Sequence, residues 1–246
     1  MRIMIMSDVH FERDFHRRVW EGGAKDWVVE KITEHDTTDL VLCGDSGYGW
    51  NKIDWDAILE RVRIHAIYGN HDNVKMMKTL RNLDNTRVLA EDGEVRTIGG
   101  LKFGFINGIL AYSRKAMVKN QMFYEDKKAM TEIGWVPRKT PEEYLAAATA
   151  LSNKIDVLIT HASVPMPGET RFHPSREFQT VAEAVRISKP RIHFSGHLSG
   201  PYKVGDLSGA RFIRVDSSPK EKHYAVLSDD INIYSDTGLV ETSKYV

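Results

Sequence analysis

Five apolar segments of the chain are each followed directly by side chains that can bind a metal ion. These side chains are carboxylates, imidazoles and one amide, a set that suits Mn, Fe, Zn or Ni, whereas oxygen ligands alone would favour Mg or Ca. Two such cations close together can bind the attacking and the leaving oxygen of a phosphate ester and acidify a water between them. The set therefore predicts a hydrolytic two-metal centre. Its members are Asp8, His10, Asp45, Asn70, His71, Asp72, His161 and His197.

The segments that position these residues have the length and composition of buried β-strands. Each is a nearly continuous apolar run, as expected where both faces of a sheet are covered. Ligands bind beyond the carboxyl ends of the strands in an open α/β sheet, so residues at five strand ends can meet although they are far apart in sequence. The predicted strands with these ends are 2–8, 38–45, 63–70, 154–161 and 190–197.

Helical patterns alternate with the strands. Asp54 is the predicted N-cap of a helix over 54–62, and apolar spacing predicts another helix over 73–83. The stretch TPEEYLAAATALS begins with a capping box and a proline in the first helical position, which predicts a helix from Thr140 onward. A further helix is predicted over 175–187.

The chain is predicted to form a single domain over 1–246, because no linker, repeat or low-complexity segment interrupts it. The stretch 111–139 mixes charged and aromatic residues and is interpreted as an insertion and a candidate lid. Cys43, the only cysteine, lies in an apolar run and is interpreted as a buried thiol in a reducing compartment.

The charge of the chain is balanced, with 34 basic and 34 acidic residues. This balance argues against specific nucleic-acid binding and against attraction to an anionic membrane. No run approaches the roughly 18 apolar residues that a membrane-spanning helix needs. A soluble, cytoplasmic protein is therefore predicted, and any anionic substrate must be attracted locally.

The order of the motifs D-x-H, G-D, G-N-H-D, T-H and G-H resembles that of the calcineurin-like metallophosphoesterase superfamily. The resemblance spans residues 8–199, and G-N-H-D after an apolar strand is its most specific element. It implies an α/β fold with four αββα layers, in which two mostly mixed β-sheets pack face to face with helices outside. It also implies a dinuclear metal site at the carboxyl edge of the strands.

The resemblance further implies a role for each residue of the set. Asp8 and His10 would bind the first metal, and Asp45 would bridge the two metals. His71 would contact the phosphate or protonate the leaving oxygen, and Asp72 would orient His71. The ligands of the second metal would be Asp45, Asn70, His161 and His197.

Position 199 departs from the family pattern, because the last motif usually reads G-H-x-H and Ser199 stands here for its second histidine. A hydroxyl is a poorer ligand than imidazole for a transition metal, so the first site is expected to bind its metal more weakly. Three outcomes are open: water fills the vacant position and hydrolysis continues, which is preferred; His173 replaces the histidine; or one metal binds and activity is low. Arg171, on the same loop as His173, is a candidate phosphate contact, although solvated loop residues are the simpler interpretation of both.

These observations favour a metal-dependent phosphoesterase with two divalent ions, Mn before Fe, Zn or Ni. The expected substrate is a small phosphate ester or a nucleotide, with a diester favoured over a monoester. In protein phosphatases of the superfamily the G-D and G-N-H motifs carry arginines, whereas GDSGYG and GNHDNV have none, which argues against a phosphoprotein. The alternative is a non-catalytic scaffold that keeps the fold and a weakened metal site and binds a protein partner.

Overall fold

The computed structural model describes residues 2–10, 23–47, 49–110, 138–165 and 176–244. Within them, two β-sheets of six strands each pack face to face, and helices cover the outer faces. This architecture confirms the predicted four-layer αββα sandwich.

The first sheet joins a parallel half to an antiparallel half. Its strands are β1 (Ile3–Met6), β2 (Asp39–Cys43), β3 (Arg63–Ile67), β10 (Tyr224–Leu227), β11 (Ile231–Ser235) and β12 (Gly238–Ser243). They lie in the order β12-β11-β10-β1-β2-β3. The strands β1, β2 and β3 are parallel, while β10 to β12 form an antiparallel meander that pairs with β1.

The second sheet is also mixed and has a parallel centre. Its strands are β4 (Val95–Ile98), β5 (Leu101–Ile106), β6 (Val157–Thr160), β7 (Ile192–Ser195), β8 (Lys203–Leu207) and β9 (Ala210–Arg214). They lie in the order β4-β5-β6-β7-β9-β8. The strands β5, β6, β7 and β9 are parallel, and each edge strand pairs antiparallel with its neighbour.

Strand β1 shows why its sequence is apolar at every position. Ile3 and Ile5 pack into the core between the two sheets, whereas Met4 and Met6 pack under the helices of the first sheet. Because successive side chains of a strand point to opposite faces, a strand covered on both sides must be apolar throughout. All four residues are buried.

Five helices lie in the described part of the chain: α1 (Ala24–Glu34), α2 (Lys52–Leu59), α3 (Val74–Met77), α4 (Pro141–Ala150) and α5 (Arg176–Ser188). The predicted capping box of α4 is confirmed, since Thr140 accepts from the backbone of Glu143 and Glu143 accepts from the backbone of Thr140. Helix α1 is absent from the predicted elements. Its buried Trp27, Val28 and Ile32 nevertheless have the spacing of a helical face.

The predicted N-cap of α2 is wrong. Asn51 is the N-cap, and its side chain accepts hydrogen bonds from the N–H groups of Ile53 and Asp54. Asp54 completes the capping box from the third helical position, because its carboxylate accepts from the Asn51 N–H at 3.1 Å. Both residue types can cap a helix, so composition alone did not distinguish the two positions.

Helix α3 is much shorter than the predicted helix over 73–83. It ends because the following residues bind the edge of the first sheet instead of continuing the helix. The Asn82 side chain accepts from Ile64 N at 2.8 Å and donates to Ile64 O at 3.0 Å. These contacts satisfy backbone groups of the edge strand β3, which favours the extended segment over further helical turns.

The parallel strands of both sheets bring their carboxyl ends to one edge of the sandwich, where the loops after β1, β2, β3, β6 and β7 meet. The metal-capable residues of the sequence motifs lie in these loops. None of the described helices is long and apolar enough to cross a membrane.

Candidate metal centre

Asp45 lies at the middle of the candidate site. Its Oδ2 atom is 3.2 Å from His161 Nε2 and 3.8 Å from His10 Nε2. His10 Nε2 is in turn 3.6 Å from Asp8 Oδ1. Two groups of potential ligand atoms, each within 4.8 Å of one another, therefore share the Asp45 carboxylate. One group is Asp8, His10 and Asp45, and the other is Asp45, His161 and His197.

The backbone at four of these residues adopts the left-handed conformation. The φ angles are 57° at Asp8, 48° at His10, 53° at Asp45 and 67° at His197. Such a conformation costs a residue other than glycine on the order of 1–3 kcal/mol, and it is concentrated at functional sites. Each of these residues lies in a loop that directly follows a strand of one of the two sheets.

Two glycines let the backbone approach the carboxylates closely. A Cβ atom at Gly69 would overlap Asp45 Oδ1 and lie 2.6 Å from His161 Nε2. A Cβ atom at Gly196 would overlap Asp8 Oδ2 and the hydroxyl of Ser7. The glycines of the G-N-H-D and G-H motifs are therefore required by the packing of the ligand side chains.

A hydrogen bond to the backbone fixes the ring orientation of His161. Its Nδ1 atom lies 2.9 Å from Cys43 O, and because a carbonyl can only accept, Nδ1 donates the hydrogen bond. The other ring nitrogen, Nε2, then faces Asp45 and is the atom that can bind a cation. Histidines that bind metals in proteins are commonly oriented in this way.

Opposite charges stabilise one another in this buried cluster. Burial alone would raise the pKa of the Asp45 and Asp8 carboxyls, but His161 holds that of Asp45, and His10 that of Asp8, below the ordinary value. Burial likewise opposes the charged form of His161, yet Asp45 raises its pKa to about 10. A cation bound at Nε2 would displace this proton and take over its role of neutralising the carboxylates. The donor set and its charge therefore fit divalent transition metals.

A family model described as calcineurin-like phosphoesterase matches residues 1–201 of the chain. The chain belongs to the calcineurin-like phosphoesterase family. Members of the family typically bind divalent metals, in agreement with the two ligand groups that share Asp45. No curated protein sequence matches the chain significantly.

Solved structures share the calcineurin-like phosphoesterase fold with this chain at low sequence identity. Protein TT1561 of Thermus thermophilus is 11% identical, with a TM-score of 0.55 over 92% of this chain and 93% of that one. GAP50, the anchor in the inner membrane complex of Plasmodium, is 12% identical, with a TM-score of 0.55 over 100% of this chain and 88% of that one. At these identities the likeness shows the fold alone.

The buried carboxylate of Asp72 binds the backbone of two loops at the candidate site. Its buried carboxylate accepts hydrogen bonds from the backbone N–H groups of Asp45 and Gly69, each at 2.7 Å, and of Gly47 at 3.2 Å. Asp72 therefore ties the loop after β2 to the loop after β3. Its predicted contact with His71 stays a prediction, because each carboxylate oxygen can accept more than one hydrogen bond.

The residues of the G-N-H segment adjoin the two ligand groups. His71 is half-buried, its backbone N–H donates to Asp45 Oδ1 at 2.7 Å, and its ring lies edge-on to the His10 ring with 5.3 Å between centroids. Asn70, which is also half-buried, lies between Gly69 and His71 in the sequence. The segment thus places an amide and an imidazole at the mouth of the cluster.

Ser199 is exposed on the loop after β7, next to Gly200. His173, Arg171 and residues 111–137 of the predicted insertion lie outside the described residues. Their predicted roles therefore stay predictions.

Sequence reasoning missed Asp216. This carboxylate is 3% exposed and accepts hydrogen bonds from Gly200 N at 3.0 Å and Ser218 N at 2.9 Å. Burial and the negative charge of Asp8 raise its pKa to about 6, so it lies near the first ligand group. Asp216 follows the end of β9 in the run RFIRVD, a strand-end pattern like that of the other site residues, and this signal could have found it.

His193 and Cys43 are residues of the core. His193 is buried, with Nε2 2.8 Å from Thr160 Oγ1. Cys43 is buried, and burial raises the pKa of its thiol, as expected for an unreactive cysteine of the core.

Proposed function

We propose that this chain is a metal-dependent phosphoesterase that prefers phosphodiesters and uses two divalent ions, with Mn favoured. The observation that carries the proposal is the Asp45 carboxylate shared by two groups of potential ligands. A shared carboxylate is the arrangement that holds two cations at a separation suited to one phosphate group.

The side chains would divide the work as follows. Asp8 and His10 would hold the first cation, and Asp45 would hold both cations. Bound there, the cations would stabilise charge on the phosphate and lower the pKa of water. The second cation would be held by Asp45, Asn70, His161 and His197.

His71 would donate a proton to the departing oxygen or a hydrogen bond to the phosphate. Its half-buried ring beside His10 lies at the centre yet remains accessible to a substrate. An alkoxide is a poor leaving group, so an acid at this position lowers the barrier to its departure.

We infer that the substrate is a small phosphate ester or a nucleotide, processed in the cytoplasm. The balanced charge of the chain and the lack of arginine in the G-D and G-N-H-D segments support a small substrate over nucleic acid or phosphoprotein. The lone thiol, Cys43, supports a reducing compartment.

A second candidate function is that of a non-catalytic scaffold. The likeness to GAP50, described as an anchor, supports this candidate, as does a serine at position 199. The two candidates differ at His71, because a scaffold has no use for an acid beside the leaving oxygen.

Turnover by the Mn-loaded protein tests the proposed function. The wild-type chain should hydrolyse bis(p-nitrophenyl) phosphate faster than p-nitrophenyl phosphate, and His71→Ala should lower kcat about a hundredfold to ten-thousandfold. His223→Ala is the matched control, because that half-buried ring packs against Tyr202 instead of a ligand side chain. Lack of turnover of both esters by the Mn-loaded wild type would leave the scaffold as the better account.

The variant Ser199→His should bind metal at the first position more tightly, by about tenfold or more, because imidazole replaces a neutral hydroxyl. Calorimetric titration with Mn measures the change. Ser208→His, on the exposed turn between β8 and β9, controls for adding a histidine elsewhere. Unchanged Mn affinity in Ser199→His would mean that another residue already completes the first position.

A further inference from the structure

We propose that Arg138 is a substrate-binding residue that holds a non-bridging phosphate oxygen beside the metal centre. This inference rests on the function proposed above and concerns a residue outside all of the sequence motifs. A guanidinium group stays charged at any physiological pH and presents paired N–H donors that match the oxygens of a phosphate.

The backbone places Arg138 at the edge of the sandwich that carries the candidate ligands. The next residue, Lys139, donates its N–H to Ile109 O at 2.9 Å, and Lys139 forms a parallel bridge with Leu110. Ile109 and Leu110 follow the carboxyl end of β5, whose parallel neighbour β6 leads directly into His161. Arg138 is thus held one strand away from a candidate ligand.

The loop after β5 is also fixed to the G-N-H-D segment. Gly108 N donates to Tyr68 O at 2.7 Å, and Tyr68 N donates to Asn107 Oδ1 at 3.0 Å. Tyr68 directly precedes Gly69, where an added Cβ atom would overlap Asp45 Oδ1 and lie 2.6 Å from His161 Nε2. Hydrogen bonds therefore connect the backbone beside Arg138 to the backbone that surrounds the site.

The positive charge of Arg138 acts on Glu177, a buried residue in the first turn of α5. Burial raises the pKa of Glu177 to about 7, against the opposing charges of Arg138 and His161. Because charge interactions weaken with distance, a carboxyl that responds to both Arg138 and His161 supports a guanidinium on the His161 side of the centre.

The neighbouring cation, Lys139, is a weaker candidate for the same role. Its ammonium forms an ion pair with Asp92 and lies 5.9 Å from the centre of the Tyr68 ring. Those contacts occupy the Lys139 ammonium with a carboxylate and an aromatic ring outside the two ligand groups. Glu177, which is only 5% exposed, favours a cation at position 138 when its carboxyl is ionised.

Binding of inorganic phosphate to the Mn-loaded full chain tests the inference without requiring turnover. Calorimetry should show that Arg138→Gln weakens phosphate binding about tenfold or more while the number of bound Mn ions is unchanged. Arg138→Lys keeps the charge but not the paired donors, so it should lose less phosphate affinity than Arg138→Gln. It takes the place of the glutamine variant if that variant folds poorly. In hydrolysis of a phosphodiester substrate, Arg138→Gln should raise KM more than it lowers kcat.

Arg186→Gln is the matched control, because Arg186 is an exposed arginine on α5 that pairs with Glu183. Equal phosphate affinity in wild type and both Arg138 variants would overturn the inference, as would equal losses in Arg138→Gln and Arg186→Gln. Absence of phosphate binding to the Mn-loaded wild type would overturn it too. Failure of the proposed function is recognised separately, as a wild-type chain that binds Mn and phosphate but hydrolyses neither ester.

Discussion

Replacing Asp45 with asparagine is expected to weaken metal binding at both positions and to lower hydrolysis by at least about a thousandfold. The substitution keeps the volume of the side chain and removes the charge that His10 and His161 both face. It also removes the oxygen that two cations would share. Metal content by mass spectrometry and turnover of an activated phosphodiester measure the two effects.

Asp39→Asn is the matched control for this experiment. Asp39 is a buried carboxylate at the start of β2, the strand that precedes Asp45, and lies 3.2 Å from His65 Nε2. Its loss should change stability without changing metal content. Full metal content and near wild-type turnover in Asp45→Asn would contradict the role assigned to the shared carboxylate.

Replacing Gly69 with alanine is expected to abolish tight metal binding although the variant adds only a methyl group. The new Cβ atom would overlap Asp45 Oδ1 and lie 2.6 Å from His161 Nε2, so either the ligands or the backbone must move. Overpacking of this kind typically costs about 1–3 kcal/mol of folding stability. Because a ligand that binds only the folded state raises its stability, Mn should raise the melting temperature of the wild type but not of Gly69→Ala.

Gly209→Ala provides the comparison. Gly209 has a φ of 87°, and a Cβ atom added there would meet no atom beyond its chain neighbours within 4 Å, so alanine strains the backbone without touching a ligand. The variant should have a lower melting temperature and keep the Mn-induced increase. An equal Mn-induced increase in Gly69→Ala would show that the close approach of this glycine is not needed.

The sequence predicted the residues of the site better than it predicted their connections. Asp45 and His161 were found because each follows a buried apolar strand, and parallel strands end at a common edge. The hydrogen bonds of Asp72 to the backbone of Asp45 and Gly69 depend on how two loops pack. No spacing in the sequence determines that packing, so this loop-binding role of Asp72 was not predicted.

The predicted end of α3 was wrong because tertiary contacts override the local helical preference. The apolar spacing after Asn73 suits a longer helix, yet the chain leaves it after Met77 so that Asn82 can bind the backbone of Ile64. The stabilisation from that contact depends on the edge strand β3, which lies outside the sequence segment that shows the helical spacing. Asp216 was missed for a different reason, because its strand-end pattern carries no recognised motif.

Anomalous diffraction from crystals of the Mn-loaded protein tests the central claim most directly. Two peaks are predicted, one bounded by Asp8, His10 and Asp45 and the other by Asp45, His161 and His197, with the first weaker because Ser199 replaces a histidine. The absence of a peak at Asp45 under saturating Mn would contradict the account.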